Sequence, residues 1–164
     1  KIFKDEDESY NLIIKVIDFG ISKISEKTFT YSTNYDSLSL HYSAPEMYSK
    51  TDDMPRINNK IDIWALGCII SYIFSGVIPW TNKNKNLIRI SGFLANKSRF
   101  PIPDKWFDIP DKERIALEKI LSFCFEVDPN NRINAYGLYK LINTLYLDKD
   151  FDECVSSLKQ NCFT

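Results

Sequence analysis

Residues 61–78 form the most apolar run in the chain, and what interrupts that run decides what it can become. Asp62 stands near its start, and Gly67, Ser71, Ser75 and Gly76 lie within it. A membrane-spanning helix needs about 20 consecutive, predominantly apolar residues, so a run this short and this punctuated is expected to stay out of the bilayer. It reads instead as a central helix packed on all sides by its own domain. Its end is expected at Ser75-Gly76, with Pro79 beyond.

Elements able to cover such a helix are legible on both sides of it. Upstream, residues 11–17 (Asn-Leu-Ile-Ile-Lys-Val-Ile) are apolar and β-branched, the composition of a short, mostly buried strand. Residues 22–43 are rich in Ser, Thr, Tyr and Asn without a sustained period and read as a long loop, a class that is usually functional. Downstream, Leu87, Ile88, Ile90, Phe93 and Leu94 recur at helical spacing until Phe100-Pro101-Ile102-Pro103 breaks the pattern. Leu117, Ile120, Leu121, Cys124 and Phe125 form one face of a further helix that should stop before Asp128-Pro129. Asn134 stands where an N-cap would start a last helix, with Leu138, Leu141, Ile142 and Leu145 on its buried side.

Composition narrows the class. With 164 residues, 44% of them hydrophobic and 26% charged, the chain is the size of one ordinary globular domain. A chain of this length buries roughly two-thirds of its unfolded surface and needs no disulfide or metal staple. Lysine plus arginine, 21, nearly balance aspartate plus glutamate, 22, so there is no global attraction to a phosphate backbone, and nucleic acid is not an expected partner. The cysteines at 68, 124, 154 and 162 form no Cys-x-x-Cys pair, and the chain has one His, which argues against a zinc site. Free thiols in a reducing compartment follow, with a cytoplasmic location as the default and the nucleus as the alternative. Residues 1–8 are charged and show no signal peptide, and a start at Lys1 instead of Met leads us to expect a longer parent protein.

The candidate chemistry begins at Asp18-Phe19-Gly20, directly after the apolar strand. A carboxylate there is a hard oxygen ligand suited to Mg²⁺ on phosphate oxygens, Phe19 can pack into a core, and Gly20 allows backbone angles closed to other residues. Taken alone, the tripeptide reads equally as an ordinary strand-to-turn junction. Three more motifs follow in order: Ala44-Pro45-Glu46 after the hydroxyl-rich loop, Asp62-x-Trp64-x-x-Gly67 opening the apolar helix, and Arg132 after Asp128-Pro129. In this order and at this spacing the chain resembles the eukaryotic-type protein kinase family, whose activation segment runs from Asp-Phe-Gly to Ala-Pro-Glu.

The resemblance covers residues 11–147 and implies a mainly α, protein-kinase-like fold: a large helical C-terminal lobe with a short β element at its N-terminal end. Residues 1–147 would then be an incomplete kinase domain and residues 148–164 a C-terminal tail. The resemblance also implies a Ser/Thr protein kinase using ATP and Mg²⁺ on a protein substrate. Asp18, Phe19 and Gly20 are implied at the cofactor, with Asp18 as the metal ligand. Residues 21–43 are implied as the activation segment. Glu46 is implied to pair with Arg132, and Asp62 matches a carboxylate that accepts N–H bonds from the family's catalytic loop. In isolation Asp62 reads as helix capping, and Trp64 and Gly67 read as packing residues. Ser39 and Tyr42 align with the Thr and Tyr of Gly-Thr-x-x-Tyr-x-Ala-Pro-Glu, a pattern of Ser/Thr-directed members, with Leu38 in place of its Gly. Thr28, Thr30, Tyr31, Ser32, Thr33 and Ser37 are candidate phosphorylation sites.

The family's Gly-rich loop, strand lysine, helix glutamate and catalytic-loop Asp are absent from this sequence, so no catalytic residue is assigned and the chain by itself is expected to be inert. Lys1-Ile2-Phe3 aligns with the strand after the family's metal-binding Asn, with Lys1 at or just after that Asn. Two readings of the parent stay open. One is an active Ser/Thr kinase; the other is a pseudokinase or scaffold that binds partners without catalysis, suggested by Leu38 and Lys1. A lipid or small-molecule kinase is disfavoured by Ala44-Pro45-Glu46. Residues 17–23 look like the calcium- and calmodulin-dependent group.

Overall fold

The apolar run becomes α1, Lys60–Ser75, and both of its ends have local causes. At the start, Asn58 Oδ1 accepts the Lys60 N–H at 2.9 Å, satisfying one of the donors that a helix leaves unpaired in its first turn. At the end, Gly76 adopts φ 68°, a left-handed angle that only glycine reaches cheaply, and donates its N–H to Tyr72 O at 2.8 Å. The computed structural model describes residues 2–4, 10–12, 14–17, 40–48, 58–77, 102–103, 105–147, 150–158 and 162–163.

Three more helices follow α1 among the described residues. The second, α2 (Asp111–Cys124), carries Asp111 and Glu113 in its first turn, where carboxylates meet the positive end of the helix dipole. Its buried face is Ala116, Leu117, Ile120, Leu121 and Cys124, and it stops ahead of Asp128-Pro129 as the sequence leads one to expect. The third, α3 (Ala135–Tyr146), starts at Asn134, whose side chain accepts the Gly137 N–H at 2.9 Å. A short α4 (Phe151–Ser156) is capped by Asp150, whose Oδ1 accepts the Glu153 N–H at 2.9 Å. α2 packs on α1 and α3, and α4 packs on α3. Trp64, Cys68, Ile120, Leu121, Ile133 and Leu141 are completely buried where these helices meet. Residues 148–164, expected as a tail, thus contribute α4 and a buried Cys162.

At the N-terminal end, β1 (Ile2–Lys4) and β2 (Tyr10–Leu12) pair antiparallel with Ile2 opposite Leu12 and Lys4 opposite Tyr10. The fold is therefore the expected one: mainly helical, with a short β element at the N-terminal end.

Three expectations are corrected. The strand expected over residues 11–17 ends at Leu12, and Ile14, Val16 and Ile17 are exposed by 82%, 78% and 78%. A ladder extends only as far as its partner, and β1 is three residues long. α1 is not packed on all sides: Trp64, Cys68 and Ser71 are buried, while Leu66, Ile69, Tyr72 and Ile73 stay 40–57% exposed. Apolar composition makes burial favourable, but burial requires a partner on each face. Ile142, expected on the buried side of α3, is 40% exposed, whereas Leu138 and Leu141 are inside. The helix expected around residues 87–94 lies outside the described residues. No helix among the described residues is long and apolar enough to cross a membrane.

Candidate functional site

The loop between α2 and α3 is built to deliver one side chain. Asp128 Oδ1 accepts the Asn130 N–H at 2.9 Å and its side-chain amide at 3.0 Å, and Asp128 O accepts the N–H of Asn131 at 3.0 Å and of Arg132 at 3.2 Å. That turn drives Arg132 inward until none of it is exposed. A buried guanidinium must have its donors and its charge answered, and here the charge and four of the five N–H donors are. Nη1 donates to Glu46 Oε1 at 2.7 Å and Nη2 to Glu46 Oε2 at 2.9 Å, the two-pronged geometry that an Arg fork makes with a carboxylate. Nη1 also donates to Lys60 O at 2.8 Å, and Nε to Glu126 O at 3.0 Å. The guanidinium carbon lies 5.1 Å from the ring centre of Trp64.

Glu46 reaches this fork from the 3-10 turn Pro45–Tyr48. Ala44 is completely buried and its carbonyl accepts the Met47 N–H at 3.1 Å, so the turn is anchored in the core on the same side as the carboxylate. Trp64 packs edge-on against Phe125, with centroids 5.2 Å apart at 67°. Gly67 explains the spacing of Asp62-x-Trp64-x-x-Gly67: a Cβ there would lie 2.8 Å from Cys124 Cβ and 2.9 Å from Phe125 Cε1, so only glycine lets α2 come this close.

Lys60, at the first position of α1, is 98% out of solvent, with a relative exposure of 2%. Its ammonium donates to Arg132 O at 2.7 Å and to Phe163 O. Burial, reinforced by the positive charge of Arg132, holds its pKa below the ordinary lysine value. Burial pushes the Cys124 thiol up to about 12, against a smaller opposing pull from Arg132. The Cys68 thiol is raised as well, by burial first and by its neighbour Cys124 second. Both thiols are therefore protonated and unreactive at neutral pH. What the arrangement does is hold the 44–48 segment to the helical floor.

The structure brings Glu46 and Arg132 together. Tyr42 is half-buried in the 3-10 turn Leu40–Tyr42 and packs on the core. Asp62 lies in the first turn of α1 with its side chain exposed, where a carboxylate meets the positive end of the helix dipole, and Asn58 accepts the Lys60 N–H. Asp18, Phe19, Gly20, Thr28, Thr30, Tyr31, Ser32, Thr33, Ser37 and Ser39 lie outside the described residues. Among the described residues no group of three or more His, Cys, Asp or Glu is placed to hold a metal ion. Sequence reasoning missed Lys60; the signal for it was a lysine at the threshold of the most apolar run.

Residues 2–144 match the family model described as the protein kinase domain. The chain is 34% identical over 128 residues to the serine/threonine-protein kinase BCK1/SLK1/SSP31 of Saccharomyces cerevisiae, a match covering 77% of this chain and 8% of that protein. It is 28% identical over 139 residues to a calcium/calmodulin-dependent protein kinase type I of Schizosaccharomyces pombe, covering 85% of this chain and 38% of that protein. The MAP kinase kinase kinase mkh1 of Schizosaccharomyces pombe is 28% identical over 127 residues, covering 77% of this chain and 11% of that protein. The chain thus spans well under half the length of each of these curated relatives.

Proposed function

The chain belongs to the protein kinase family, and on that premise we propose that it is the C-terminal lobe of a serine/threonine protein kinase that, in full length, transfers the γ-phosphate of ATP to protein hydroxyls. The observation that carries the proposal is the Glu46–Arg132 fork, buried under Trp64, which fastens Ala44-Pro45-Glu46 to the helical floor. A loop that must present a peptide and a phosphate in register needs one end that does not move, since small misplacements of reacting groups cost large factors in rate.

In this proposal residues 21–43 are the activation segment, and Asp18 is the Mg²⁺ ligand. A bound Mg²⁺ supplies neutralisation of charge on the phosphate oxygens. The chain's own residues position: Glu46 and Arg132 hold the end of the segment, Tyr42 wedges the preceding turn against the core, and Ser39 presents a hydroxyl toward the catalytic aspartate of the parent. Thr28, Thr30, Thr33 and Ser37 are the proposed regulatory hydroxyls. The four free thiols fit a cytoplasmic location, with the nucleus as the alternative.

The test is Mg²⁺-dependent transfer from ATP to a protein substrate by the full-length protein, beside its Asp18→Asn variant. Transfer by the parent that falls to background in the variant is expected, with none from residues 1–164 alone; transfer that survives Asp18→Asn overturns the assignment. Leu38, at the position of the family's glycine, favours one alternative, a pseudokinase scaffold. Tight partner binding by a full-length protein without turnover is the outcome that would install it.

A further inference from the structure

We infer that Cys162 and Phe163 form a latch that sets the order of the Pro45–Tyr48 turn, acting through Lys60 and Arg132. Both latch residues lie beyond residue 144, where the match to the protein kinase domain ends. The inference rests on the contacts themselves and is independent of whether the full-length protein transfers phosphate.

The latch is seated by backbone and side chain together. Cys162 O accepts the Asn134 N–H at 2.7 Å, and Cys162 is 1% exposed. It lies against Gly137, where a Cβ would come within 2.9 Å of Cys162 Cβ and 2.7 Å of Ile133 Cγ1. The Phe163 ring packs edge-on to Phe123, with centroids 6.0 Å apart at 64°. This seating puts the Phe163 carbonyl on the Lys60 ammonium.

Lys60 and Arg132 are two cations held side by side by exchanging main-chain acceptors. The Lys60 ammonium donates to Arg132 O at 2.7 Å, and Arg132 Nη1 donates to Lys60 O at 2.8 Å. The same Nη1 holds Glu46 at 2.7 Å. A continuous series of hydrogen bonds therefore runs from Phe163 O through Lys60 and Arg132 to the carboxylate of the Pro45–Tyr48 turn. Among the described residues the Lys60 ammonium has two acceptors, both main-chain carbonyls, and removing one leaves a buried cation half-answered. Lys60 must then shift toward water, and its own carbonyl, which Arg132 uses, moves with it.

The test is amide hydrogen exchange in the chain ended at Asn161, in two backgrounds, wild type and Lys60→Met. The readout is the Met47 N–H, which closes the Pro45–Tyr48 turn on Ala44 O, and the reference is the Phe125 N–H, bonded to Leu121 O at the end of α2. Losing a hydrogen bond to a charged group is expected to raise Met47 exchange about ten-fold or more over that of Phe125 with Lys60 present, and to add nothing in Lys60→Met. Faster Asn134 exchange with Met47 unchanged would show Cys162 and Phe163 to be only a cover, and would overturn the latch. Equal acceleration in both backgrounds, or matched acceleration at Phe125, would overturn it too. If the shortened chain does not hold its fold, Phe163→Ala in the 164-residue chain, which removes the ring seated on Phe123, is read by the same comparison in the two backgrounds and judged by the same criteria.

Discussion

Glu46→Gln keeps the shape of the buried fork and removes its charge. The amide oxygen can still accept one Arg132 N–H, but the amide nitrogen is turned toward the other, donor against donor. Arg132 is completely buried and the Glu46 side chain 8% exposed, so neither solvent nor salt screens the loss. The guanidinium retains Lys60 O at 2.8 Å, Glu126 O at 3.0 Å and the face of Trp64, all without a countercharge. Breaking such a buried pair costs about 3–5 kcal/mol, a large share of the roughly 5–15 kcal/mol by which domains are stable. At about 2–4 °C per kcal/mol for a domain of this size, the melting temperature should fall by roughly 6–20 °C. The assay is thermal and urea unfolding of the wild type, Glu46→Gln, Arg132→Met and the double variant. Arg114→Ala serves as the comparison: Arg114 pairs with Asp111 at 3.0 Å and with Glu118 at 2.9 Å, but on the surface, where water screens the charges, so little change is expected. The double variant should recover much of the single-variant loss, because neither side of the fork is left as a buried charge without its partner. A Glu46→Gln shift no larger than that of Arg114→Ala would refute the reasoning.

Three further outcomes are expected. Lys60 is held below its ordinary pKa of 10.5, so the unfolded chain binds that proton more tightly than the folded one; stability should therefore rise with pH from the folded pKa up to about 10.5, and urea midpoints across that window should lose the contribution in Lys60→Met. Gly67→Ala drives a methyl to within 2.8 Å of Cys124 Cβ and should destabilise by about 1–3 kcal/mol in urea unfolding, and an unchanged midpoint would show that α1 and α2 can separate cheaply. Under a thiol-alkylating reagent at mildly alkaline pH, the partly exposed Cys154 should label first in the native chain, while Cys68 and Cys124 label only on unfolding; early labelling of Cys124 would contradict its burial and the raised pKa that follows from it.

The family was legible in the sequence because its marks are local residue patterns: Ala44-Pro45-Glu46, Asp62-x-Trp64-x-x-Gly67 and Arg132 after Asp128-Pro129. Helix ends were legible for the same reason. Gly76 after α1, Asn134 before α3 and the Asp128-Pro129 stop after α2 act on backbone donors and acceptors within a few residues, so no distant partner is needed to read them. Asn58 shows the limit even there: its Oδ1 accepts the Lys60 N–H, a bond that the sequence reading did not assign.

Burial was a different matter. Ile63 and Ile73 are the same residue type in one helix, and one is 6% exposed while the other is 57% exposed. Composition determined that α1 would be a helix; only the placement of α2 and the turns against one of its faces decided which side went inside. Lys60 is the sharpest case, since a lysine is ordinarily a surface residue. Its burial depends on carbonyls supplied from Arg132 and Phe163, which are 72 and 103 residues away along the chain. Contacts over such separations carry no local signature, because a main-chain carbonyl is present at every residue and only the tertiary fold selects which one meets the ammonium.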